Sequence, residues 1–274
     1  MRSKTTLAAT VLAAAFALSA CGSGGGDAEL SAADEPLRVG ASPVPHAEIL
    51  RFVDEELAAD AGLDLEIVEF TDYVQPNVAL DDGSLDANYF QTIPYLEEQE
   101  ASAGYDFTAL APVHIEPLGI YSSSLTDLAT LPDGATVAIP NDPTNAARAL
   151  RLLEANDLIT LADTGDAAPT SLDVQDNLKD LQISEVEAAQ VPRSLEDVDI
   201  AVINGNYAIE ADLVPAEDAL ALEEAEGNPN ANLLVVRTGD EDDERIQQLE
   251  QLLHSDEVRQ FIDQTYEGAV IPAF

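Results

Sequence analysis

The chain has 274 residues, 46% of them hydrophobic, and its 53 acidic against 11 basic side chains leave a formal net charge of −42. A surface that negative repels nucleic acid and anionic lipid headgroups, which excludes a polyanion as the bound partner. The single cysteine, Cys21, leaves no intrachain disulfide and no Cys-based metal centre.

Taken in chain order, Arg2 and Lys4 form a basic start and residues 7–18 an apolar run of small side chains, ending at Leu18-Ser19-Ala20-Cys21. This is the layout of a secretory signal over residues 1–20, and the run is too short to span a bilayer comfortably. A cysteine directly after Leu-Ser-Ala resembles the bacterial lipoprotein lipobox, in which cleavage leaves Cys21 as the lipidated first residue. An ordinary signal followed by a chance cysteine is the alternative. Residues 21–35 then read as the lipidated cysteine and its tether, with Gly22 to Gly26 flexible. One acyl chain holds a membrane only marginally, so a stable anchor needs more than one on Cys21. Beyond the leader the only lysine is Lys179. Acid-rich, lysine-poor composition is the pattern of proteins that stay soluble in high salt, where screening tames self-repulsion.

The mature part alternates short apolar strands with amphipathic helices, which predicts an α/β fold with largely parallel sheets. Residues 37–40 read as a first strand, followed by a helix carrying Ile49, Val53 and Leu57 and stopped at Gly62. Alternation of Leu63, Leu65 and Ile67 with Asp64 and Glu66 gives a second strand to Phe70. Residues 85–88 form a third, 92–103 a helix closed by Gly104, and 107–113 and 118–121 two apolar stretches. A second unit starts after Ser124, with strands at 136–139, 183–186 and 200–203 and a helix over 143–156. A strand at 233–236 precedes two closing helices, the second capped by Ser255. The division expected is one lobe from 36–121 plus 233–274 and another from 122–232. Ligands of open α/β sheets sit at strand carboxyl ends, and domain interfaces favour pockets, so the cleft between the lobes is the expected site.

Three stretches could carry recognition. Pro140 to Arg148 follows a strand and opens a helix, with Asp142 as N-cap and Pro143 in the first position. Asn145 and Arg148, three apart, share a face near the helix start, where free N–H groups favour an anion. The planar guanidinium of Arg148 suits a carboxylate, and equally suits one of the many surface acids. Tyr73, Phe90 and Tyr95 lie at element ends and fit a pocket for an apolar or sulfur-bearing side chain, or else the core. Asn204 and Asn232, each with donor and acceptor, could meet both ends of a zwitterion, or could serve turns and caps.

This ordered series resembles the NlpA/methionine-binding lipoprotein family, the substrate-binding components of methionine ABC importers. Asp72-Tyr73-Val74, Leu85 to Asn88, Phe90-Gln91, Pro94-Tyr95-Leu96, Pro140 to Asn145 with Arg148, Pro192 to Leu195, Ala201 to Asn204 and Gly268-Ala269-Val270 carry it, from Leu37 to Phe274. The resemblance implies a two-lobed type II periplasmic-binding-protein fold holding methionine, or a related small amino acid, between the lobes. It implies Arg148 on the carboxylate, Asn204 and Asn232 on the ligand's backbone groups, Tyr73, Phe90 and Tyr95 around its side chain, and Asn145 adjacent. Thr92 stands where the family often carries histidine; a hydroxyl for an imidazole changes local hydrogen bonding and pocket volume. The implied partners are an ABC permease with its ATPase, reached by lobe closure, on the extracytoplasmic face of the cell membrane.

Rival readings fare worse. The three histidines, His46, His114 and His254, are far apart in sequence, and neither a Gly-x-Ser-x-Gly elbow nor a His-Glu-x-x-His pair occurs. No catalytic residue, cofactor or metal site is therefore expected, and a structural lipoprotein would leave the Asn and Arg series unexplained.

Overall fold

The computed structural model describes residues 30–33 and 35–274. The expected signal peptide, Cys21 and most of the tether lie outside the described residues. Among those described, no helix is long and apolar enough to cross a membrane.

Two mixed sheets form the body. The first has six strands in the order Ile271–Pro272, Phe107–Ile115, Ala231–Arg237, Ala87–Thr92, Leu37–Ala41, Leu65–Glu69. The second has five, in the order Ala221–Leu222, Gly119–Tyr121, Ile200–Ile203, Thr136–Pro140, Gln182–Val186. Each sheet is parallel over one half only. Leu37–Ala41 runs parallel to both of its neighbours, whereas Ala231–Arg237 is antiparallel to both of its own. The expectation of largely parallel sheets is corrected by chain path: the segment returning from the second lobe inserts into the first sheet against the local direction.

Period-two alternation gives each sheet two apolar faces. In strand Ala231–Arg237, Leu234 and Val236 join the cluster under Ile49, Val53, Leu249 and Ile262, while Leu233 and Val235 join Leu80, Leu96 and Phe107 on the other side. In the second sheet, Ile200 and Val202 pack with Leu150 and Leu153, and Ala201 and Ile203 with Val191 and Tyr207. The expected punctuation is present: Gly62 and Gly104 end their helices at φ 71° and 81°, in the left-handed region that favours glycine. Asp142 and Ser255 cap their helices through bonds from Asn145 N and Val258 N.

Two crossings join the sheets, residues 116–118 outward and 223–230 on return. Sheet membership shifts the expected division by a few residues at both ends. Gly119–Tyr121 pairs within the second sheet, and Ala231 and Asn232 pair within the first. Hydropathy alone missed this, because a strand's apolar pattern says nothing of which sheet it enters.

The first lobe is fastened at its entry strand by Asp86, which is fully buried. Its carboxylate accepts from the backbone N of Ser31 and Arg38, both at 2.8 Å, and from Arg38 Nε and Nη2 at 3.1 and 2.8 Å. Burial alone would raise its pKa, but the Arg38 bonds and backbone donors outweigh it and hold the group below the usual carboxylate value. A depressed carboxylate stabilises the fold above its unfolded pKa and stops doing so as pH falls through the folded one. Asp86→Ala, which leaves two backbone donors and a partly exposed guanidinium without their acceptor, is expected to cost about 1–3 kcal/mol in urea unfolding at pH 7. The difference from wild type should shrink below about pH 4.

Candidate functional site

One cleft between the lobes is lined by all eight residues expected from sequence: Tyr73, Phe90, Thr92, Tyr95, Asn145, Arg148, Asn204 and Asn232. It contains about 380 Å³ not filled by atoms, its open mouth included. The lobes touch across it: Tyr73 Oη donates to Asn206 Oδ1 at 2.5 Å, and Tyr207 Oη to the Thr71 carbonyl at 3.3 Å.

Arg148 sits in the second turn of helix Pro143–Ala155 and is 9% exposed. Its Nε donates to both Glu223 oxygens at 2.9 Å, and its Nη2 donates to Glu223 and to the Glu116 carbonyl at 2.9 Å. Nη1 takes part in none of these bonds. Arg148 thus does pair with an acid, but a half-buried one beside the cleft, and Nη1 is left as its unused donor. Asn145 Nδ2 reaches Asp142 at 3.1 Å, and its Oδ1 accepts from Asn204 Nδ2 at 2.8 Å. Asn204 occupies the N-cap of helix Gly205–Glu210, yet its side chain makes no capping bond. Its Oδ1 is buried without a protein partner, as is Asn206 Nδ2. The lining therefore offers a buried acceptor and a buried donor that no protein group uses.

Asn232 lies opposite Thr92 on one neighbouring strand and opposite His114 on the other. Its Oδ1 faces His46 Nε2 at 3.0 Å. Behind it is a group that sequence separation concealed. His114 Nε2 lies 2.7 Å from Glu116 Oε1, His46 Nε2 lies 3.3 Å from the same oxygen, and Tyr89 Oη bonds His114 Nδ1. Burial pushes His46 down to about 4, against the opposing pull of Glu116, and pushes His114 down to about 3. Glu116 is raised by burial, with His46 and Arg148 opposing. Both imidazoles are thus neutral at pH 7. With Tyr89 donating to Nδ1, His114 carries its proton on Nε2 and donates to Glu116.

Among the described residues, His46, His114 and Glu116 form a buried group whose ligand atoms lie within 4.8 Å of one another, close enough to hold a metal ion. Hydrogen bonding already occupies both ring nitrogens that face this group: His114 Nε2 donates to Glu116, and His46 Nε2 is bonded to Asn232 Oδ1. Wide spacing in the sequence made a histidine cluster a poor prospect without excluding it, and the His46 and His114 ring centroids are 4.8 Å apart.

Tyr73, Phe90 and Tyr95 form a triangle with ring centroids 6.0, 5.9 and 6.0 Å apart. Tyr95 Oη donates to the Tyr73 carbonyl at 3.0 Å, fixing the third ring. Burial raises the pKa of both phenols, so they stay neutral. Thr92 ends its strand here and caps no helix bond with its hydroxyl.

The sequence profile of the NlpA lipoproteins matches residues 37–274. The methionine-binding lipoprotein MetQ of Bacillus subtilis is 38% identical over 273 residues, 98% of each chain. A nutrient-binding protein of Burkholderia cenocepacia, solved bound to methionine, is 44% identical with a TM-score of 0.84 over 87% of this chain and 100% of its own. A periplasmic substrate-binding protein of an ABC transporter from Coxiella burnetii is 42% identical with a TM-score of 0.83, over 86% of this chain and 100% of its own. The chain belongs to the NlpA lipoprotein family.

NlpA membership brings with it the two-lobed periplasmic-binding fold and a substrate-binding role rather than an enzymatic one. Residues that sequence reasoning did not assign to the site are Gln91, Glu116, Gly205 and Asn206, and His46 was given only a structural role; all five line the cavity. One signal was available: His114 and Glu116, two apart at the end of an extended stretch, share a face. Gly205 has its own reason, since a Cβ there would lie 2.7 Å from Glu116 Cβ and force the carboxylate away.

In NMR titration, the His46 and His114 rings are expected to remain neutral from pH 8 down to about 5, since both folded values lie below the reference of about 6.5. Titration of either ring near 6.5 would contradict the burial argument.

Proposed function

We propose that this NlpA protein binds methionine between its lobes and delivers it to an ABC permease and its ATPase, from a lipid anchor on Cys21 outside the cytoplasm. The observation that carries this reading is that charged and amide side chains line one cavity together with three aromatic rings. Arg148 offers Nη1 to the ligand carboxylate, with Asn204 and Asn206 amides beside it. Glu116, flanked by neutral imidazoles, takes the ammonium, and Asn232 completes that pole. The methionine side chain enters the Tyr73, Phe90 and Tyr95 triangle. A sulfur on the axis of that triangle can sit about 5 Å from all three rings, the favourable distance for sulfur–aromatic contact.

Charge accounting favours a zwitterion. Arg148 is compensated by Glu223, so an anionic ligand would bring an uncompensated negative charge into the cleft. A zwitterion matches both poles and adds no net charge. The names of the Bacillus and Burkholderia relatives point to the same ligand, and the Coxiella relative to the same transport role. Lobe closure on the ligand is the form presented to the permease.

Ligand released from freshly purified protein should be methionine by mass spectrometry. Calorimetry on stripped protein should give roughly 10–100-fold weaker methionine binding for Arg148→Ala, as expected for lost bonds to a charged group. Phe90→Ala should cost about tenfold for methionine, through lost apolar and sulfur contacts, while sparing glycine. Release of a different solute, or unchanged affinity in Arg148→Ala, would contradict the reading.

A further inference from the structure

We infer that Glu223 is a positioning residue that ties Arg148 to both inter-lobe crossings, so that a ligand carboxylate on Arg148 is coupled to the hinge. This rests on the binding reading above and adds to it. Arg148 itself belongs to the second lobe, on a helix packed against the second sheet. Its guanidinium, however, is held by the chain segments that connect the lobes. Nη2 donates to the carbonyl of Glu116, in the outward crossing, and Nε and Nη2 donate to the carboxylate of Glu223, at the start of the return crossing.

Glu223 also joins the two crossings to each other. Its backbone N donates to the Leu118 carbonyl at 2.8 Å, and its Oε2 accepts from Leu118 N at 3.2 Å. One carboxylate therefore binds the ligand-facing arginine and the backbone of the opposite hinge segment at once. Burial alone would raise the Glu223 pKa, but the Arg148 bonds and charge, with Leu118 N and Asn228, outweigh it and lower it. The group is ionised, as the tie requires.

The geometry has a consequence for binding. With Nε and Nη2 occupied, the fork cannot rotate, and Nη1 is the donor that remains for a ligand. Movement of either crossing shifts Arg148, and a carboxylate held on Arg148 restrains both crossings. A residue that only balanced charge would not need this arrangement, because any carboxylate nearby would serve.

The test is calorimetry of methionine with stripped wild type, Glu223→Gln, Glu223→Asp, Arg148→Lys and the double variant Arg148→Lys/Glu223→Gln. Glu223→Gln should weaken binding about tenfold or more, and Glu223→Asp, charged but one methylene short of spanning Arg148 and Leu118, at least about threefold. In the Arg148→Lys background, where no fork exists to be held, Glu223→Gln should change affinity by less than about threefold. Equal losses in both backgrounds, no loss in either, or wild-type affinity in Glu223→Asp would each overturn the inference. If Glu223→Gln fails to fold, as judged by circular dichroism, Glu223→Asp alone decides. Wild-type protein that binds no methionine would instead overturn the function proposed above.

Discussion

A guanidinium this deeply buried is tolerable only when its charge is balanced and its donors are used. In Arg148 that requirement organises the cleft. Glu223 balances the charge, the Glu116 carbonyl takes a second donor, and both come from the crossings that join the lobes. The same requirement leaves Glu116 without a cationic partner, because the two imidazoles beside it are neutral through burial. The cavity is thus asymmetric: one pole that donates, one that accepts, and three aromatic rings beyond. Such a site is complementary to a small zwitterion with an apolar tail.

The surface and the site make different electrostatic demands. A chain at −42 sets up a field that repels anions at a distance. An amino acid carries no net charge, so it is neither steered nor rejected by that field. Its carboxylate is attracted only inside the cleft, where low dielectric and fixed donors make local interactions outweigh the distant acids. Screening by salt would weaken the long-range field while leaving the buried contacts nearly unaffected.

What could be read from sequence followed the range of the underlying physics. The helix start at Pro143 and the Asn145/Arg148 spacing depend on neighbours within one turn, and both were legible. The aromatic triangle was legible as three residues at element ends, though not as a triangle. Sheet direction was misread because it depends on where the chain crosses between lobes, a property of the whole path. The lobe boundaries moved for the same reason, at Gly119–Tyr121 and at Asn232. Glu116 and Asn206 were not singled out, and His46 was named without a binding role, because their meeting requires three separate segments to converge; the His114/Glu116 spacing was the one local signal. Thr92 was seen as a departure from the NlpA pattern, and it does line the cavity.

The most direct test of the two-pole account is a crystal structure of the protein with methionine bound. The account predicts the carboxylate on Arg148 Nη1, the ammonium on Glu116, and the thioether sulfur within reach of Tyr73, Phe90 and Tyr95 together. A methionine bound in the reverse orientation, or one whose carboxylate bypasses Arg148, would contradict it.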